Sequence, residues 1–168
     1  MRTTMPTWEE ICDDPNLRDL PYKIEQDRYG RIVMSPLKPD HGLFQVAIAR
    51  KLGDQLPGWA VYVECAIATP EGVRVPDVAA MSMHRSLRHR GKSSLPEGPE
   101  ICVEVLSWSN SDPEISEKRA LLAALGCQEF WTCSDTGKMT FFSAATGETL
   151  VASQLCPDFP ASIALPGQ

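Results

Sequence analysis

The sequence has no CxxC pair, and no run approaches the roughly 18 uninterrupted apolar residues that a membrane-spanning helix needs. A zinc ribbon and a bilayer span are both unexpected. The six cysteines, Cys12, Cys65, Cys102, Cys127, Cys133 and Cys156, are scattered, and four stand inside or beside apolar runs, as reduced thiols used as small core residues do. Met1 to Asp14 mixes acids with its hydrophobic residues, so no export signal and a cytoplasmic location are expected. There is no long Gly/Ser, Gln/Asn or single-sign tract to imply extended disorder, and no internal repeat. A G-x-S-x-G elbow is missing too, so the serines between Ser107 and Ser111 suit a turn and helix cap better than a nucleophile. His84 and His89 have no cysteine at a distance that would complete a zinc site.

What is present fits one α/β (α+β) domain over residues 1–168, with 43% hydrophobic residues to fill a core. A net charge of −6 disfavours unassisted coating of a polyanion, because such affinity comes from cations that displace counterions. The charge is uneven, however. No acid occurs from Val78 to Pro96, while Arg85, Arg88, Arg90 and Lys92 fall together, a candidate for nucleic-acid contact or a solvated loop. Trp108 and Trp131 suit core or interface anchors better than base-stacking platforms.

Tyr22 to Asp27 and Arg31 to Met34 flank Arg28-Tyr29-Gly30 and predict an N-terminal β-hairpin. Helical spacing follows, with Asp40 as its N-cap and an end before Gly53 or Pro57. Trp59 to Thr69, Val73 to Met81 and Glu100 to Ser107 predict strands, the first two an antiparallel pair joined at Pro70-Glu71-Gly72. Asp112 as N-cap and Pro113 begin a second helix that Gly126 ends. Glu129 to Cys133 and Met139 to Phe142 predict further strands, with another at Leu150 to Ala152.

Charged groups occur where these elements are apolar on both faces. Alternation points Asp77 inward from the Val73 to Met81 run, Glu104 inward from Glu100 to Ser107, and Glu64 inward from VYVECAIAT. A carboxylate in low dielectric must be paired, protonated or bound to a cation. Lys118 lies on the core-facing stripe of the second helix, three residues after Ile115 and four before Leu122, and Glu104 is its expected partner. One inward acid with one inward lysine is commonly only a structural ion pair. Three acids exceed one pair, and their hard oxygens suit Mg²⁺ or Mn²⁺.

RVPDVAA around Asp77, ICVEVLS around Glu104 and EKRALLAALGCQEFW after it resemble the Uma family, grouped with restriction endonucleases in the PD-(D/E)XK nuclease superfamily. YKIEQDRYGRIVMSP, His41 and VECAIATPEGVRVPDV extend the resemblance over about residues 21–142. It implies a restriction endonuclease-like core, with a central mixed sheet flanked by helices, in the order helix, three strands, helix, strand. It also implies a metal-dependent endonuclease acting on nucleic acid, expected to be DNA, with Asp77 and Glu104 holding Mg²⁺ or Mn²⁺. The superfamily lysine normally stands two residues after the second acid, where this chain has Leu106, and the resemblance implies either that Lys118 acts in its place from the adjacent helix or that activity has been lost. Glu64 becomes an additional metal ligand, with His41 and Glu25 as accessory candidates, although alternation with Lys23 and Asp27 makes Glu25 exposed. A homodimer suits the cutting of two strands. The rivals are an inactive binding or interaction module on the same fold, and a structural dimer whose acids and Lys118 form a dry ion-pair network.

Overall fold

The computed structural model describes residues 5–108 and 110–165, so Ser109 lies outside the described residues. A short helix α1 (Trp8–Asp13) precedes the hairpin β1 (Tyr22–Gln26) and β2 (Ile32–Pro36), which turns at Gly30 with φ 79°. Helix α2 (Pro39–Gln55) follows, then β3 (Trp59–Val63), β4 (Ile67–Thr69), β5 (Gly72–Arg74), β6 (Val78–Ser82) and the short helix α3 (Met83–Leu87). Next come β7 (Ile101–Val105), α4 (Asp112–Ala124), β8 (Glu129–Cys133), β9 (Met139–Ser143) and β10 (Thr149–Leu150). Two sheets result, a four-stranded one in the order β2-β1-β5-β4 and a six-stranded one in the order β10-β9-β8-β7-β6-β3.

The larger sheet is mixed: β3, β6 and β7 run antiparallel, whereas β7 and β8 are parallel and joined by the crossover helix α4. Period-2 alternation sorts its side chains onto two covered faces. Val78, Ala80, Ile101 and Val103 pack with Phe44, Ile48 and Leu52 of α2. Ala79, Met81, Cys102 and Phe130 pack with Leu122 of α4. Asp77 and Glu104 continue the rows of this second face. Cys12 is exposed and the other five cysteines are buried and free, as small core residues.

Several boundaries differ from the sequence expectations. Helix α2 starts at Pro39 with Lys38 as its N-cap, because Pro fits the first turn, where no N–H is needed; Asp40 lies inside that turn. The N-cap of α4 is Ser111 rather than Asp112, in a reciprocal capping box with Glu114.

More consequential is the long hairpin from Trp59 to Ser82, expected as two continuous strands. Each leg breaks midway. Glu64 takes a left-handed φ of 53°, and Pro76, opposite the next residue Cys65, has no N–H for a ladder. The legs stay paired through the bend, since the Glu64 N–H donates to Asp77 O at 2.9 Å and the Cys65 N–H to Pro76 O at 3.2 Å. Below the bend the hairpin belongs to the six-stranded sheet, and above it to the four-stranded one. At the tip, Gly72 (φ 99°) passes so close to β1 that a Cβ there would lie 2.1 Å from the Gln26 carbonyl oxygen.

Candidate active site

The bend brings β1 from the small sheet over the C-terminal end of β7 and the first residues of β6, and the space between is a cleft of about 570 Å³. Its floor is a chain of alternating charges. Asp77, fully buried just before β6, accepts from Lys23 Nζ at 2.7 Å through Oδ1, while its Oδ2 accepts from the backbone N–H of Val105 at 2.7 Å. Gln45 Nε2 also donates to Oδ1 at 3.3 Å, and His41 Nε2 lies 3.1 Å from that atom. Glu104, 4% exposed, lies 3.2 Å from the same Lys23 Nζ through Oε2 and 2.6 Å from Lys118 Nζ through Oε1. Lys118 donates further to Glu25 Oε1 at 2.7 Å and to Val75 O at 3.1 Å.

Local sequence accounts for each position. Lys118 and Leu122 are one turn apart on the buried stripe of α4, which aims the amine at β7 as the helix phase implies. His41 and Gln45, likewise one turn apart on α2, flank Asp77 from the opposite side. Lys23 and Glu25 alternate with Ile24 on β1 and share one face.

Two of the sequence readings are corrected here. Glu64 is exposed rather than inward, because the left-handed bend turns it away from the sheet interior; Gln45 stands between it and Asp77, with Nε2 3.5 Å from Glu64 Oε1. The face of β1 that alternation made solvent-facing is covered: Lys23 is buried and Glu25 half-buried, because the second sheet folds over it.

Burial alone would raise the carboxyl of Asp77, yet the Lys23 ammonium and His41 hold it well below the ordinary carboxylate range. Burial raises Glu104, and the neighbouring Asp77 and Glu25 add to this against the pull of Lys118 and Lys23. Burial alone would lower Lys23, but the carboxylates of Glu104, Asp77 and Glu25 outweigh it and hold its ammonium well above the ordinary lysine range. The two central acids are thus driven apart, one firmly ionised and one easier to protonate.

The basic segment does not line this cleft. It occupies α3 and the following loop, at the other end of β6 from Asp77, a strand of five residues or about 17 Å. There Arg85 contacts Glu97 at 2.8 Å and Glu100 at 2.9 Å, and Arg88 contacts Glu97 at 3.1 Å. Arg90 and Lys92 are exposed beside them. Trp131 is a buried core residue as expected, whereas Trp108 is 83% exposed and stands at the cleft rim.

Lys23 and Gln45 were not singled out from the sequence. Gln45 carried a usable signal, since it precedes Ile48 by three residues on the buried stripe of α2. Lys23 carried none. Among the described residues no helix is long and apolar enough to cross a membrane, and no group of three or more His, Cys, Asp or Glu side chains is arranged to hold a metal ion.

A family profile described as "Putative restriction endonuclease" matches residues 9–165. A solved structure from Anabaena variabilis, described as "a putative nuclease belonging to DUF820", superposes with a TM-score of 0.70 at 16% identity, over 94% of this chain and 94% of that one. The shared feature is the fold, a mixed sheet flanked by helices, as the family resemblance implied. None of the curated proteins matches.

Proposed function

The chain belongs to the Uma2 family, and from that premise we propose that it is an Mg²⁺- or Mn²⁺-dependent endonuclease, hydrolysing phosphodiester bonds of DNA in the cytoplasm. One observation carries the reading: two carboxylates from neighbouring strands, Asp77 and Glu104, converge on a single cation at the floor of an open cleft.

The donor chemistry fits a hard divalent ion. Mg²⁺ customarily takes one or two carboxylates and completes its shell with waters and substrate phosphate oxygens, so these two acids suffice. Bound there, the ion would polarise the scissile phosphate and acidify a coordinated water. Val105 N–H fixes one oxygen of Asp77, which leaves Oδ1 facing the cleft. Lys118 holds Glu104 in place and offers positive charge to the phosphoryl oxygens, in the role that Leu106 cannot fill. Glu25 orients Lys118, and His41 and Gln45 orient Asp77. Glu64 contributes through Gln45, without reaching the ion itself. Trp108 at the rim offers a face on which a base can stack.

The test is cleavage of single- and double-stranded DNA and RNA with Mn²⁺, with Mg²⁺ and with a chelator. Cleavage with the metals and none with the chelator supports the reading. A protein purified to homogeneity that leaves all four substrates intact with either metal sinks it. The ammonium of Lys23 between the acids favours a second reading, a dry structural network. Double-mutant cycles on Lys23 and Asp77 that give the same coupling with and without Mn²⁺ would support that alternative.

A further inference from the structure

We propose that Lys23 is a competitor built into the site: its ammonium occupies the point between Asp77 and Glu104 that a divalent ion needs, and the ion enters as Lys23 swings into the cleft. This rests on the metal-dependent reading above and names how its site is regulated.

The geometry makes the two occupants mutually exclusive. Lys23 Nζ is 2.7 Å from Asp77 Oδ1 and 3.2 Å from Glu104 Oε2. A divalent ion held by Asp77 and Glu104 would draw on the carboxylate oxygens that Lys23 now contacts. An ammonium and a divalent ion cannot share that point, by size or by charge.

The charges point the same way. Asp77, Glu104 and Glu25 face the ammonium groups of Lys23 and Lys118, which leaves a surplus of one negative charge. With Lys23 turned away the surplus becomes two, the charge of one divalent ion. Lys118 is not a comparable candidate, because Glu25 and the Val75 carbonyl hold it from the far side of Glu104.

Lys23 also has somewhere to go. It lines the cleft directly, so rotation of its four-carbon stem carries the amine into open space rather than through packed core. A substrate phosphate in the cleft gives that amine a new anion. Metal and substrate are therefore expected to help each other bind, with Lys23 passing from carboxylates to phosphate.

The experiment titrates Mn²⁺ into the wild-type protein, K23Q and K23R, following free Mn²⁺ by electron paramagnetic resonance. K23Q is expected to bind Mn²⁺ about tenfold more tightly or better, while K23R, which keeps the charge, gains nothing comparable. A second readout uses the unaltered protein and covers the case in which K23Q does not fold. Amine acetylation read by mass spectrometry is expected to spare Lys23 without Mn²⁺ and to modify it with Mn²⁺ present. If wild-type protein binds Mn²⁺ but K23Q binds equally or less tightly, or if Lys23 stays protected when Mn²⁺ is added, Lys23 is a support and the proposal is overturned. Absence of Mn²⁺ binding in wild type and K23Q alike would instead remove the metal-dependent reading beneath it.

Discussion

The two ends of β6 carry ion-pair clusters of similar membership and opposite character. At the Ser82 end, Arg85 is shared between Glu97 and Glu100, with Arg88 and His89 also on Glu97. The planar fork of an arginine divides between two carboxylates and a carbonyl, that of Gly98, and the result is a brace between a loop and the sheet. At the Asp77 end the cations are lysines and the carboxylates are more deeply buried, on the floor of a cleft. A lysine ammonium is a compact point charge on a flexible stem, and another compact cation can replace it. Arginine serves where the pair must persist; lysine serves where it must be exchangeable.

Substituting Asp77 should break this contrast most sharply. If the proposed metal-dependent reading holds, D77N and E104Q are expected to lower cleavage about a hundredfold or more while leaving the circular dichroism spectrum folded, because each removes a proposed metal ligand and barely changes side-chain volume. Next comes the rim. In a D77N background that cannot cut, W108A should weaken binding of a single-stranded oligonucleotide by about 5- to 150-fold, the range spanned by base–aromatic stacking, as read by fluorescence anisotropy.

The brace should behave in the reverse manner. R85A leaves Glu97 and Glu100 without their shared cation and is expected to cost about 1–3 kcal/mol in urea unfolding, with cleavage changed less than about twofold. A large loss of activity in R85A would erase the distinction between the two ends. The smallest effect is a pH trend in E97Q. Hydrogen bonds from Arg85 and His89 lower the Glu97 carboxyl from 4.5 to about 2. A depressed folded-state value means that the stabilisation is fully present above pH 4.5 and is lost as pH falls toward about 2. The Tm difference between wild type and E97Q should therefore shrink over that window. A constant difference would show that Glu97 acts by shape alone.

The contrast also explains what the sequence could disclose. Asp77, Glu104 and Lys118 were legible because each interrupts an apolar pattern of known period, and such a pattern reports burial from neighbours a few residues away. The central strands and both principal helices were legible for the same reason, whereas the parallel pairing of β7 with β8 was not read from local periodicity. Lys23 was not, because YKIEQD alternates like an exposed strand and its burial comes from a second sheet that local periodicity cannot sense. Glu64 failed in the opposite sense. VYVECAIAT has the composition of one continuous strand, and only the left-handed turn at Glu64 itself redirects that side chain. The basic segment was visible as composition, but Glu97 and Glu100, the acids that tie down Arg85, lie just outside it.

Gly72 holds the remaining consequence. This residue has no chemical group to offer, yet it lets the backbone of β1 nestle against the hairpin tip, and β1 is what delivers Lys23 and Glu25. Adding a methyl group there in G72A should pry that strand loose, so that cleavage and Mn²⁺ affinity both change while every ionisable residue is intact and the larger sheet still melts cooperatively. Catalytic competence is in this sense a matter of joinery: a seam one hydrogen atom wide keeps two lysines and three carboxylates in the same chamber.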